Sequence, residues 1–225
     1  LVISAAINSI YMKIDQVMIK EIIGVTEVGY YSAAVKLSEV WYSLGVILCN
    51  SLFPAIINAK KISKELYYKR IESLFLFLVI ISYSVSITVY FLSDSIILSL
   101  YGKEFLEASI VLSIHVFSSI FVYLGVSSGR WHIAEGWSTF GLYRNLFGLL
   151  INLILNYLWI KQYGIIGAAY ASLVSYIGAF YIFDLIFKKS RYIFLLKTKS
   201  LFLLGIINLL RKRLNLIMMC CINQN

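Results

Sequence analysis

The chain has 225 residues, of which 60% are hydrophobic and only 14% charged, with a formal net charge of +9. Soluble domains carry about a quarter charged residues, and a chain this apolar has too little polar surface to enclose one water-bounded core. An ordinary soluble enzyme is thereby excluded, and the basic residues, which fall between apolar stretches, suit membrane loops better than a nucleic-acid surface.

A bilayer core needs about 20 apolar residues per helix. In chain order the windows that meet this are 1–19, 30–58, 72–92, 108–128, 141–160 and 165–187. None alternates in the manner of a barrel strand, so the expected fold is all-α, a polytopic transmembrane bundle of about six spans. The second window exceeds the bilayer requirement and carries the chain's one proline, Pro54, where a bend or an interfacial stretch is expected. Residues 94–107, DSIILSLYGKEFLE, are too short to span and read as an interfacial helix on the outer face. Residues 1–190 form the membrane lobe, and 191–225 form a basic tail. Its segment SLFLLGIINLL, followed by Arg211, Lys212 and Arg213, reads as an amphipathic helix on the inner leaflet rather than a seventh span.

The chain opens on Leu1 within an apolar stretch, with no basic leader before it, and reads as part of a longer protein rather than as a signal peptide. Cys49, Cys220 and Cys221 provide neither a disulfide framework nor metal-ligand spacing, and no metal or cofactor is expected.

Orientation follows from the basic residues. The loop at 59–71 holds five, the loop at 129–140 holds Arg130, and the chain from Lys188 onward holds eight, fourteen in all; the alternate loops hold only Lys20, Lys103 and Lys161. This bias puts the lysine-rich loops, the tail and the amino end in the cytoplasm. Tyr30, Tyr31, Trp159 and Tyr163 then mark the outer interface, and Tyr67 and Tyr68 the inner one.

Ionisable groups inside the spans are the informative residues, because a charge at mid-bilayer costs about 2.5 to 3.5 kcal/mol on insertion scales and faces a cavity or a partner. Lys13 and Asp15 lie in the first span, Lys36 and Glu39 in the second. Counted from the outer boundary, Asp15 is roughly 8 Å deep, Lys13 roughly 10 Å, Lys36 roughly 12 Å and Glu39 roughly 16 Å, so antiparallel neighbours bring them into one layer. His115 in the fourth span falls in that layer too. Lys36 and Glu39, three apart, can pair within the helix, and Asp15 can meet Lys36 across the helix pair. Two readings stand: salt bridges that fix helix register, or a hydrated cavity that binds an anionic substrate or a coupling ion. Arg144, near the inner end of the fifth span, is explained by snorkelling to headgroups.

Gly148, Asn152 and Asn156 share one face of the fifth span, and YGIIGAAYAS opens the sixth with small residues that permit close helix approach. The asparagines suit interhelical hydrogen bonds, with a substrate contact as the alternative. VGYYSAAVKLS after the first loop weakly echoes IGAAYASLVS after the fifth.

The segment YMKIDQVMIKEIIGVTEVGYYSAAVKLSEVW resembles the start of the second half of bacterial O-antigen and polysaccharide flippases, within the multidrug/oligosaccharidyl-lipid/polysaccharide exporter superfamily. SLFPAIINAKK and NLILNYLWIKQYGIIGAAYAS follow the same pattern in the same order, so the resemblance covers most of residues 1–190. It implies one lobe of a two-lobe exporter, an N-terminal lobe as partner, and alternating access by rocking. It further implies a multi-pass place in the bacterial inner membrane and an undecaprenyl-pyrophosphate-linked oligosaccharide as substrate. Lys13, Asp15, Lys36 and Glu39 carry over as cavity residues. Lysine stands where the family often has arginine, which removes the planar fork that suits phosphate. A membrane polymerase or glycosyltransferase is disfavoured, because the loops reach only about 15 residues and contain no DxD or HExxH. A non-transporting half of such a protein is the remaining alternative.

Overall fold

A computed structural model describes residues 2–204, with side chains from Ile7 onward except Asn8. Among these residues the fold is all helical: α1 (Val2–Ile22), α2 (Val25–Ile62), α3 (Lys64–Tyr101), α4 (Ala108–His115), α5 (Ser118–Ala134), α6 (Phe140–Ile177), α7 (Phe183–Ile186) and α8 (Arg191–Leu201). A 3₁₀ turn at Lys103–Phe105 precedes α4, and a π-helical turn at Gly178–Ile182 joins α6 to α7.

Four stretches are long and apolar enough to cross a membrane: Val25–Ile62, Lys64–Tyr101, Ala108–Ala134 and Phe140–Ile186. The last is 47 residues long and breaks at Gly164, whose φ of 59° and ψ of −140° are open only to glycine, so it doubles back as two spans. Close packing across that break depends on Gly167, where a Cβ would lie 2.2 Å from the Trp159 carbonyl oxygen. α1 has the length of a span but carries Lys13 and Asp15. With it, the described residues hold six helical passes at nearly the boundaries expected.

The expected interfacial helix at 94–107 is not a separate element. Residues 94–101 are the end of α3, which runs unbroken for 38 residues, and only the 3₁₀ turn follows Gly102. Local helical propensity and packing of Ile97 against the bundle extend α3 past the hydrocarbon limit assumed for it. α2 likewise passes through Pro54 as one helix of 38 residues, roughly 57 Å long. Arg211, Lys212, Arg213, Cys220 and Cys221 lie outside the described residues. The described part of the tail forms α8, which packs on α3 and α7 with Ile193, Leu196 and Lys197 buried.

α1 lies along α6, while α2 contacts α3, α4 and α5. The core divides into one cluster around Tyr31, Val111, Leu112 and Ala168 and a second around Phe75, Leu78, Tyr123 and Trp131. Many large apolar side chains point outward, among them Phe91, Ile154 and Leu158. That is the arrangement of a bundle whose solvent is lipid.

Candidate functional site

The charged layer read from the sequence divides into a buried part and an exposed part. Asp15 is buried and receives three hydrogen bonds: from the Tyr31 hydroxyl at 2.8 Å, the Ser172 hydroxyl at 2.5 Å and the Asn156 amide at 2.5 Å. Asn156 also donates to the Asn152 carbonyl oxygen at 2.9 Å, and the Tyr31 and Ser172 hydroxyls are 3.1 Å apart. Four helical segments build this cage. Asn152 and Asn156 are one turn apart on the outgoing arm of α6, Ser172 sits on its returning arm, and the Gly164 break folds the two arms together.

Every neighbour that touches the Asp15 carboxylate is uncharged. A carboxylate in such a place needs either a proton or a bound cation to balance it. Oxygen atoms for a hard cation are gathered there: both Asp15 oxygens, the Asn152 carbonyl oxygen, the Ser172 and Tyr31 hydroxyls, and the Asn156 carbonyl oxygen, which is buried without a hydrogen-bond partner. Amide orientation is an assignment, and a half-turn of Asn156 presents that oxygen to Asp15. Among the described residues no cluster of three His, Cys, Asp or Glu side chains is present.

Lys13, Lys36 and Glu39 lie on the exposed side of α1 and α2. Lys13 and Glu39 form an ion pair at 3.6 Å, so Glu39 faces α1 rather than Lys36 along its own helix. Lys36 is exposed and, among the described residues, makes no ion pair with Asp15 or with Glu39. The expected Asp15–Lys36 contact is therefore corrected: Asp15 turns inward to α6, while Lys36 turns outward on α2. Farther along α2, the exposed positions include Ser43, Asn50 and Asn58 among Val40, Ile47 and Pro54. Arg130 of α5 reaches this row, donating to the Asn50 carbonyl oxygen at 2.6 Å. A bundle surface bathed only by hydrocarbon would not carry this stripe.

His115 is buried beside the cage. Its Nδ1 lies 2.7 Å from the Ser38 hydroxyl and 3.3 Å from the Tyr42 hydroxyl, and its ring meets Tyr31 edge-on at 6.3 Å. Tyr31, assigned to the interface from sequence, is 1% exposed, because its hydroxyl is taken by Asp15 and Ser172. Arg144 is corrected as well: it is buried rather than snorkelling, and donates to the Gly125 carbonyl at 3.0 Å and the Ser128 hydroxyl at 3.2 Å.

The sequence reading missed a second buried acid, Asp184. Lys197 of α8 donates to it at 2.5 Å and to the Phe180 carbonyl at 2.6 Å, and His132 Nε2 stands 3.3 Å from its other oxygen. An acid near the end of the last span followed by a lysine beyond it was the available signal.

Over residues 1–110 the chain matches the family described as polysaccharide biosynthesis protein, just under half its length. It is 25% identical over 196 residues to the capsular polysaccharide biosynthesis protein CapF of Staphylococcus aureus, a match that covers 83% of this chain and 48% of that protein. Its fold matches the lipid II flippase MurJ in an inward closed conformation, with a TM-score of 0.66 and 20% identity, over 89% of this chain and 45% of that one. The chain thus spans about half the length of these relatives. In sequence the chain is thus similar to polysaccharide-biosynthesis proteins, and in fold to the flippase structure.

Proposed function

We propose that this chain forms one lobe of a membrane flippase that moves an undecaprenyl-pyrophosphate-linked oligosaccharide across the bacterial inner membrane by alternating access. In this reading the product serves O-antigen or related polysaccharide assembly, and the chain transports rather than catalyses. The observation that carries it is the stripe of Lys13, Lys36, Ser43, Asn50 and Asn58, exposed on a largely apolar bundle face, with the half-buried Glu39 and Arg130 bound to it. A diphosphate cannot cross hydrocarbon bare, and a polar wall with cations lowers that barrier while the lipid tail stays in the bilayer. A second lobe facing this wall closes the route.

The Asp15 cage is the coupling site in this proposal. A monovalent cation or a proton binds between Asp15, Asn152, Asn156 and Ser172, and drives the conformational cycle. Because Tyr31 of α2 shares the Asp15 carboxylate, occupation of the cage bears on how α2 sits against α1 and α6.

The test is flipping of a fluorescent lipid-linked oligosaccharide in proteoliposomes, read with sodium, with potassium and across a pH gradient. Asp15→Asn is expected to abolish cation dependence while protein yield stays near normal, and Lys36→Ala to slow flipping under every ionic condition. Full, cation-dependent flipping with both substitutions in place would overturn the reading.

A further inference from the structure

Of the two buried cationic side chains among the described residues, Lys197 has an acid partner and Arg144 has none. It is buried, yet among the described residues it makes no ion pair, and its Nε has no hydrogen-bond partner. Its Nη1 is used by the Gly125 carbonyl and the Ser128 hydroxyl, both neutral. The guanidinium lies 4.8 Å from the centre of the Phe180 ring. Gly125 makes room for that ring, since a Cβ there would come within 2.6 Å of it. Nearby, Asp184 is already taken by Lys197 at 2.5 Å. Asp15, the other buried acid, touches only neutral groups, so the guanidinium is left with no carboxylate in contact. Removing an ion from water costs several kcal/mol even after relaxation, and neutral hydrogen bonds return only part of it.

Beside this guanidinium is a cavity of about 210 Å³ between α1, α2, α5 and α6. Arg144 and the phenols Tyr42 and Tyr176 lie on its wall, with Val46, Val122 and Val126 opposite. The Tyr176 hydroxyl has no hydrogen bond among the described residues. A cation without a carboxylate in contact, a free phenol and largely apolar, half-open walls form a place where a small negative charge is worth more than it is in water.

We infer that the Arg144 cavity is a binding site for a single small inorganic anion of chloride or phosphate size, which supplies the counter-charge that the guanidinium lacks in contact. The site lies within the lobe, apart from the polar stripe on α1 and α2, so it stands whether or not the transported substrate is the one proposed above. The anion accepts from the Arg144 guanidinium and from the Tyr176 hydroxyl, and ties α6 to the cavity wall supplied by α1 and α2.

The experiment is thermal unfolding of the purified protein in detergent. Sodium chloride or sodium phosphate is titrated at constant ionic strength against sodium gluconate, a much larger and more hydrated organic anion. The unfolding midpoint is expected to rise saturably with chloride or phosphate. Arg144→Gln is expected to raise the half-saturating concentration at least about tenfold, and Val126→Phe, which fills the cavity and leaves Arg144 in place, to do the same. Should Arg144→Gln fail to accumulate, Arg144→Lys retains the charge without the fork and is expected to weaken the response rather than remove it. No saturable anion response in the unsubstituted protein would overturn the inference, as would a response left intact by either the arginine substitution or the cavity filling.

Discussion

Two aspartates are buried in this bundle, and they are treated in opposite ways. Asp184 meets Lys197 at 2.5 Å, with His132 on its other side. Asp15 meets only hydroxyls and an amide. The first is an acid whose counter-charge is covalently part of the chain. The second is an acid that no cationic side chain touches among the described residues. A bundle that must hold its shape uses the first arrangement; one that must respond to a cation uses the second. The lysine that closes the first site comes from α8, which is thereby fastened beneath the last span, with help from the Tyr181–Thr198 contact and from Tyr83 donating to the Leu201 carbonyl.

The comparison is broken most severely by removing the fixed counter-charge. Lys197→Met is expected to destabilise the protein by about 3 to 5 kcal/mol, because Asp184 is left buried and unpaired. Adding Asp184→Asn to it should recover a good part of the loss in a chemical-unfolding measurement, whereas a double variant no better than the single one would refute the pairing. Asp15→Asn is the matching change at the open site. A smaller loss of about 1 to 3 kcal/mol is expected, since one acceptor is exchanged for an amide that cannot serve every donor, and cation dependence of both stability and flipping should vanish. Gly167→Ala sharpens the difference from a distance. Its methyl group would press on the Trp159 carbonyl and move the arm bearing Ser172 away from the one bearing Asn156. About 1 to 3 kcal/mol of overpacking strain is expected, with cation affinity reduced more than the docking of α8. The smallest effect belongs to the exposed pair: Lys13→Met should change stability by less than about 1 kcal/mol, because the lysine side chain is 53% exposed, and its consequence should be read in flipping rate alone.

The number and approximate place of the helices were legible in the sequence, because bilayer thickness acts on composition alone. Asp15, Asn152 and Asn156 were legible as unusual residues in spans. Their meeting was not, since it depends on the left-handed backbone at Gly164 and the close seat of Gly167, which return Ser172 to a helix that has already passed. Depth counting set Lys36 beside Asp15 and failed in azimuth: one-dimensional spacing does not say which way a helix is rotated against its neighbours. Arg144 illustrates the same limit, because a position near the inner end of a span suits a snorkelling arginine and a buried one equally until the neighbours that enclose it are known.

By itself, then, the sequence determined that this is a membrane bundle with an uncommon set of charges, because the cost of polar groups in hydrocarbon is written residue by residue. Only the tertiary structure decided which charges are exposed, which are paired and which are buried among neutral partners. Those outcomes depend on helix rotation and on contacts between residues as far apart as Asp15 and Ser172, where packing rather than composition sets the energy.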